Sequence, residues 1–463
     1  MSSLLSEKDL NDFISPGLAC VKPAEPIKKS EQQEGDLEVG KESNDMEKVS
    51  ISLQDCLACS GCITSSEEIL LSRQSHTVFM AAWKSLSNDT ALAVSIPPQC
   101  RLSLAHYYEM SLESFDKCFL RLMTENFGAK FIVGTQIGRN ITVNQTNKAL
   151  TERKSLETIK KPALCAVCPG FVLYAEKTKP ELVPYLLDIK SPQQITGALL
   201  KKAIANIYHL TIMPCFDKKL EASRKDGEGE VDCVITPREF VTMLQEQNLK
   251  LADFLTSTDE MALKESCSPP GWDVNLHWAS NEGSGSGGYA YQYILHQQAL
   301  HPGSRILTLA GKNQDLKEFR LVDLSNDNVI ASSSELYGFR NIQNLVRKLT
   351  NAGSTSRNVK ILRKRASTNS KNGSSVESLA EPSKTDFIEV MACPGGCING
   401  GGLLNGEENS SRRRALAKSL ESEYDNTLPK VSCHGLSHDD SAYKYKFSAV
   451  EKPQDVLTVG NLW

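Results

Sequence analysis

Apolar and polar positions fall along this chain in blocks. "TALAVSIPP", "AKFIVGT", "HLTIMPC", "DCVITP" and "RILTLAG" are short runs dense in Val, Ile and Leu, which is the pattern of buried strands. Stretches with helical spacing lie between them. One is signalled at its start: Ser191 is placed to cap, Pro192 suits the first turn, Gln194 can bond back as a capping box, and "ITGALLKKAIANIY" continues the period. Strands alternating with helices predict α/β units on largely parallel sheet.

Polar texture divides the rest. Residues 1–20 are a short N-terminal arm ending in "GLAC", and 21–50 form a charged linker nearly free of aromatics. A cysteine-rich segment, 51–75, follows, and 76–463 make up the body. Two polar inserts, at about 364–386 and 406–440, read as surface loops.

With 463 residues and 40% apolar composition, the chain is long enough for a sizeable core. A net charge of -4 with short, scattered basic runs gives no nucleic-acid footprint. "MSSLLSEKDLNDF" has neither the basic-then-apolar order of a signal peptide nor the Arg-rich character of a transit peptide, and no apolar run approaches a membrane span. The expectation is a cytoplasmic protein, with the nucleus also open to it. In such a compartment, 14 cysteines point to metal or redox chemistry rather than disulfides.

Their spacing defines two sites. "CLACSGC" sets Cys56, Cys59 and Cys62 on a strict three-residue step, so that three thiolates can converge on three corners of an iron-sulfur cube. No fourth cysteine follows closely downstream. Cys20, across the linker, is the candidate fourth ligand; an idle Cys20 with a three-ligated cluster is the alternative. Zinc is the competing metal, although it usually takes two separated pairs or a Cys/His pair.

The second site is distributed over "CAVCPGFVLYAEKT", "HLTIMPCFDKKLEASR" and "FIEVMACPGGCINGGG". Each places a cysteine at the end of an apolar run, where open α/β sheets carry ligand-binding groups. The Pro and Gly residues beside these cysteines allow sharp turns and close approach of backbone to a bulky inorganic group. Cys168, Cys215, Cys393 and Cys397 are thus four thiolates in one sheltered cleft.

The ordered set C-P-G, M-P-C-x-x-K-x-x-E and M-A-C-P-G-G-C-x-x-G-G-G resembles the three signature segments of iron-only hydrogenases. It most resembles their eukaryotic relatives, the hydrogenase-like cytosolic iron-sulfur assembly and nuclear prelamin A recognition factors. The likeness runs from about residue 76 towards the C-terminus. It implies a two-lobed hydrogenase-like body with a [4Fe-4S] cube held by Cys168, Cys215, Cys393 and Cys397 in the cleft. In hydrogenases the thiolate matching Cys397 also bridges to a two-iron subsite, whose pocket is lined by residues matching Met213, Lys218 and Met391. One departure bears on activity: Val167 stands where hydrogenases place a proton-relaying cysteine, and valine neither donates nor accepts a proton.

The resemblance therefore implies a non-enzymatic component of the cytosolic iron-sulfur assembly machinery with two [4Fe-4S] clusters. It would link an early scaffold complex to a WD40-containing targeting complex and serve cytosolic and nuclear apoproteins. A redox enzyme, hydrogenase-type or electron-transferring, is the rival. The chain ends "VLTVGNLW", and the terminal Trp463 with its carboxylate is a compact docking handle for the targeting complex. Packing of Trp463 on the body is the plainer alternative. Cys100, Cys118, Cys233 and Cys267 read as small core residues, Cys165 as a packed thiol, and "GSGSGG" as a tight turn near the cluster.

Overall fold

The computed structural model describes residues 71, 73–155, 162–351, 379–404, 410–433 and 441–449. Cys20, Cys56, Cys59, Cys62 and Trp463 lie outside the described residues, as do the arm and the linker. The described strands are β1 (Ala91–Ser95), β2 (Ala129–Val133), β3 (Ala163–Leu164), β4 (Ile207–Ile212), β5 (Cys233–Ile235), β6 (Ser304–Ala310), β7 (Leu316–Asp323), β8 (Val329–Tyr337) and β9 (Phe387–Met391). The helices that bear on the cleft are α1 (Pro98–Tyr107), α2 (Gln136–Ser155), α3 (Pro169–Thr178), α4 (Pro192–Ala203), α5 (Asp217–Ala222), α6 (Tyr289–Leu300) and α7 (Ser410–Thr427).

Two sheets organise the body. In the first, ordered β2-β1-β4-β5, every pair is parallel. Its strands are short, apolar and covered by helices, the form parallel sheet takes when both faces are buried. Phe115, Phe119 and Phe240 pack there with Val94, Ile132 and Leu210, and burying each such side chain contributes about 1.5–3 kcal/mol. The second sheet, ordered β3-β9-β8-β7-β6, is parallel across β3, β9 and β8 and antiparallel from β8 to β6. Its core gathers Phe171, Tyr293, Phe387 and Val390. The α/β, largely parallel expectation is met, with an antiparallel flank added.

Several local expectations are corrected. "RILTLAG" is a strand but not a buried one: β6 is the sheet edge, and Leu307 on it is exposed. Ser191 does sit at the start of α4, yet its hydroxyl donates to Glu221 Oε2 at 2.9 Å instead of capping. Gln194 likewise reaches Glu230 Oε2, 3.1 Å away, so no capping box forms. The helix stops at Ala203 because Ile204 turns extended and Ile207 opens β4. The stretch 406–440, read as a surface loop, holds the 18-residue helix α7. Leu420, Tyr424 and Leu428 bury one side of it and its exit against Leu102 of α1 and Ile398. Most of its charged residues occupy the solvent face and mask that stripe in the sequence.

Candidate metal centre

The C-terminal ends of strands from both sheets meet over one cavity. Cys168 follows β3 and opens α3, and Pro169 takes the first helical position, where no backbone N–H is needed. Cys215 follows β4, two residues before α5. Cys393 and Cys397 follow β9, Cys397 in a single 3₁₀ turn, Cys397–Asn399. All four line this cavity. The spacing rule for strand ends thus brings together the four distributed cysteines.

Backbone turns hold them. Gly402 N–H donates to Pro214 O at 2.8 Å and ties the Cys397 segment to the Cys215 segment. Ala392 N–H points at Cys168 Sγ, 3.4 Å away. Cys397 N–H donates to Ser286 Oγ at 2.9 Å, so the Gly-rich turn before α6 reaches the site as expected. Gly396 has φ 81° and ψ -165°, a conformation essentially closed to other residues, and a Cβ there would collide with Ser286 Oγ. Gly400 permits a close pass: a Cβ would strike Pro214 O.

Burial governs the thiols. It pushes Cys215 well above its ordinary value, and Asp217, Cys393, Cys168 and Cys397 add to the effect. It raises Cys397 to about 12 and raises Cys168 despite the amide of Ala392. Four mutually interacting, desolvated thiols resist ionising unless a metal takes the proton's place. No three His, Cys, Asp or Glu side chains among the described residues stand at single-ion spacing. Four cysteines from three segments around one cavity are the donor set that an iron-sulfur cube takes.

The wall beyond the cysteines includes Met213, Lys218 and Met391, as the resemblance implied. Met391 Sδ lies 3.7 Å from Cys397 Sγ. Lys218 Nζ donates to Val167 O at 3.1 Å and to Glu221 Oε2 at 2.7 Å. Burial alone would lower Lys218, but the Glu221 carboxylate outweighs it and raises the ammonium's pKa. Burial also lifts the Asp217 carboxyl to about 7, with Lys218 pulling the other way. Cys165 is buried as a packed thiol, and Cys100, Cys118, Cys233 and Cys267 are core residues. Cys433 is buried too, its Sγ 3.1 Å from Asn140 Oδ1.

Sequence reasoning missed Gln99, Arg139 and Gln193, which complete the lining. For Gln99 and Arg139 the signal was available in "PPQC" and "GTQIGRN", which leave the ends of β1 and β2 and open α1 and α2 on the ligand-bearing edge of the sheet.

Residues 90–401 match the family model "Iron only hydrogenase large subunit, C-terminal domain". The chain is 56% identical over 477 residues to the cytosolic Fe-S cluster assembly factor NAR1 of Kluyveromyces lactis, with 100% of both chains covered. It is 50% identical over 495 residues to the protein of that name from Saccharomyces cerevisiae, again with 100% of both covered. Among solved structures, the [FeFe]-hydrogenase HydA(deltaEFG) matches with a TM-score of 0.58 and 19% identity, over 81% of this chain and 99% of that one. A HydA1 variant from Chlamydomonas reinhardtii gives the same TM-score, identity and coverage. With the fold shared by the hydrogenases and sequence identity carried end to end by the assembly factors, the chain belongs to the iron-only hydrogenase-like family of cytosolic Fe-S cluster assembly factors.

Proposed function

We propose that the protein serves cytosolic iron-sulfur assembly as a carrier of two [4Fe-4S] cubes, linking an early scaffold complex to a late targeting complex that supplies cytosolic and nuclear apoproteins. The observation that carries the reading is the convergence of Cys168, Cys215, Cys393 and Cys397, from three separate segments, on one cavity. These four hold the cleft cube. Cys20, Cys56, Cys59 and Cys62 hold the other, and Trp463 docks the WD40-containing targeting complex. A bound cube supplies one-electron redox capacity and iron-sulfide cargo. The protein's part is to exclude water, hold thiolates at fixed corners and direct the N–H groups of Ala392 and Phe171 at the Cys168 sulfur.

The redox-enzyme alternative is favoured by one observation, the Met213, Lys218 and Met391 wall. Against it, Val167 offers the cavity no proton-transferring side chain, and its carbonyl is engaged by Lys218. Dye-linked hydrogen uptake separates the two: turnover by the iron-loaded chain would establish the enzyme.

The central test is iron, acid-labile sulfide and EPR on anaerobically purified chain beside C20A and C393A. About eight irons, with each variant losing about half, is the expected result for two cubes. Retention of all iron in C20A would sink the N-terminal ligand set, and zinc in place of iron would overturn the reading.

A further inference from the structure

The cleft holds polar groups that an iron-sulfur cube cannot satisfy. Gln99, Arg139 and Gln193 line it and are 4%, 2% and 2% exposed. The Gln99 amide nitrogen donates to Gly285 O at 2.5 Å. That of Gln193 donates to Lys218 O at 3.1 Å and faces Glu221 Oε2 at 3.4 Å. Both amides are therefore oriented, and the oxygen left over on each, Oε1, has no partner. Asp217 Oδ1, on the same lining, has none either. Arg139 Nη1 donates to Tyr424 OH at 2.7 Å and approaches Asn281 Oδ1 at 3.4 Å, but its Nε is buried without an acceptor. No carboxylate among the described residues pairs with this guanidinium.

Buried polar groups in native proteins are nearly always satisfied, and a buried cation especially so. The cube answers only part of this demand. Its sulfides and thiolates accept hydrogen bonds, so they suit Arg139 but do nothing for three unpartnered oxygens. Those oxygens need donors, and a carboxylate is the stronger, charge-assisted partner for the guanidinium. We propose that the cleft beside the four cysteines binds a free α-amino acid as its zwitterion, the carboxylate on Arg139 and the ammonium towards Gln99 Oε1, Gln193 Oε1 and Asp217 Oδ1. An ammonium brings three donors to three acceptors, and a carboxylate accepts from a guanidinium with charge assistance. The walls of Met213, Met391 and Pro192 select a small apolar or thiol side chain. This inference rests on the reading of the cysteines as cluster ligands, because the cube shapes the floor of the pocket.

The test is calorimetric titration of L-alanine into the anaerobically purified full chain, with iron and sulfide counted in the same samples. L-Alanine is the probe because it cannot chelate iron through a thiol. Saturable binding of one molecule per chain is expected, with affinity at least tenfold lower in Arg139→Gln and in Gln99→Met. Acetate or methylamine alone should bind at least tenfold more weakly than L-alanine. Circular dichroism melting checks that both variants fold, and Gln99→Met stands as the readout should Arg139→Gln unfold. No saturable binding, affinity unchanged in a folded variant, or equal binding of acetate would each overturn the proposal. So would ordered water alone at the three oxygens in an L-alanine-soaked crystal. The iron count decides the cluster reading separately: a full complement of iron without binding removes the amino-acid site and leaves the clusters standing.

Discussion

Substituting Gly396 with Ala tests whether the turn between Cys393 and Cys397 is a fitted cradle. Two costs follow from the geometry. A non-glycine residue at φ 81° and ψ -165° carries strain of about 1–3 kcal/mol. Its Cβ also displaces Ser286 Oγ, which accepts from Cys397 N–H, and losing that bond costs about 1 kcal/mol more. The sum, roughly 2–4 kcal/mol, corresponds to about 30-fold to several hundredfold weaker retention of the cleft cube at 1.4 kcal/mol per decade. The assay is loss of iron to a strong ferrous chelator under anaerobic conditions, followed by the cleft cluster's EPR signal. Ser286→Ala separates the two costs: it removes the acceptor without the strain and should weaken retention only about fivefold. If Gly396→Ala keeps its iron as long as the unsubstituted chain while folding normally, the cradle argument is wrong.

Further outcomes follow from other residues. Cys215→Ser should lose about half the iron, whereas Cys165→Ser should lose none, as counted by iron and sulfide analysis. Leu420→Ala should lower stability by about 2–5 kcal/mol in denaturant unfolding, since the side chain is buried where α7 meets α1; a negligible change would return that stretch to the surface. Burial pushes the His209 imidazole down to about 4, so it is neutral in the folded chain while the unfolded chain protonates below about 6.5. The unfolded state then holds more protons between those values, and stability, full above pH 6.5, should fall by about 3 kcal/mol as pH drops to 4. His209→Gln should flatten that slope in pH-dependent unfolding.

The site was largely legible because its chemistry is concentrated in residues with local signatures. Cysteines with Pro or Gly beside them at the ends of apolar runs mark both strand ends and sharp turns, and Cys168, Cys215, Cys393 and Cys397 do line one cavity. Strands β1, β2, β4 and β5 were legible for a similar reason, since each is a short, mostly apolar run in which polar positions such as Lys130 and His209 are too few to blur the pattern. Features set by tertiary contact were not. Helix α7 buries a narrow stripe under a charged face, and the exposure of β6 depends on its place at the sheet edge. Ser191 carries a capping pattern, but Glu221, 30 positions along the chain, takes its hydroxyl. Gln99, Arg139 and Gln193 are ordinary polar residues in sequence. Only the packing of three helix starts around the cysteines makes them part of the site.

The origin of the four thiols also gives the cluster a mechanical role. Cys168, Cys393 and Cys397 follow strands of the mixed sheet, whereas Cys215 alone follows a strand of the parallel one. A cube held by all four would therefore bond the two sheets to each other, with Cys215 as its one covalent tie to the parallel sheet. Protein contacts run beside this tie, among them Gly402 N–H to Pro214 O and Lys218 Nζ to Val167 O at the cavity. Because metal affinity is folding free energy wherever ligands come from separate segments, a cube bound in the cleft would stabilise the junction in proportion to how tightly it is held. A cluster so placed is costly to release, since letting it go loosens the protein around it. That cost falls on any transfer step through the cleft and favours the N-terminal cysteines as the set from which a cube is handed on.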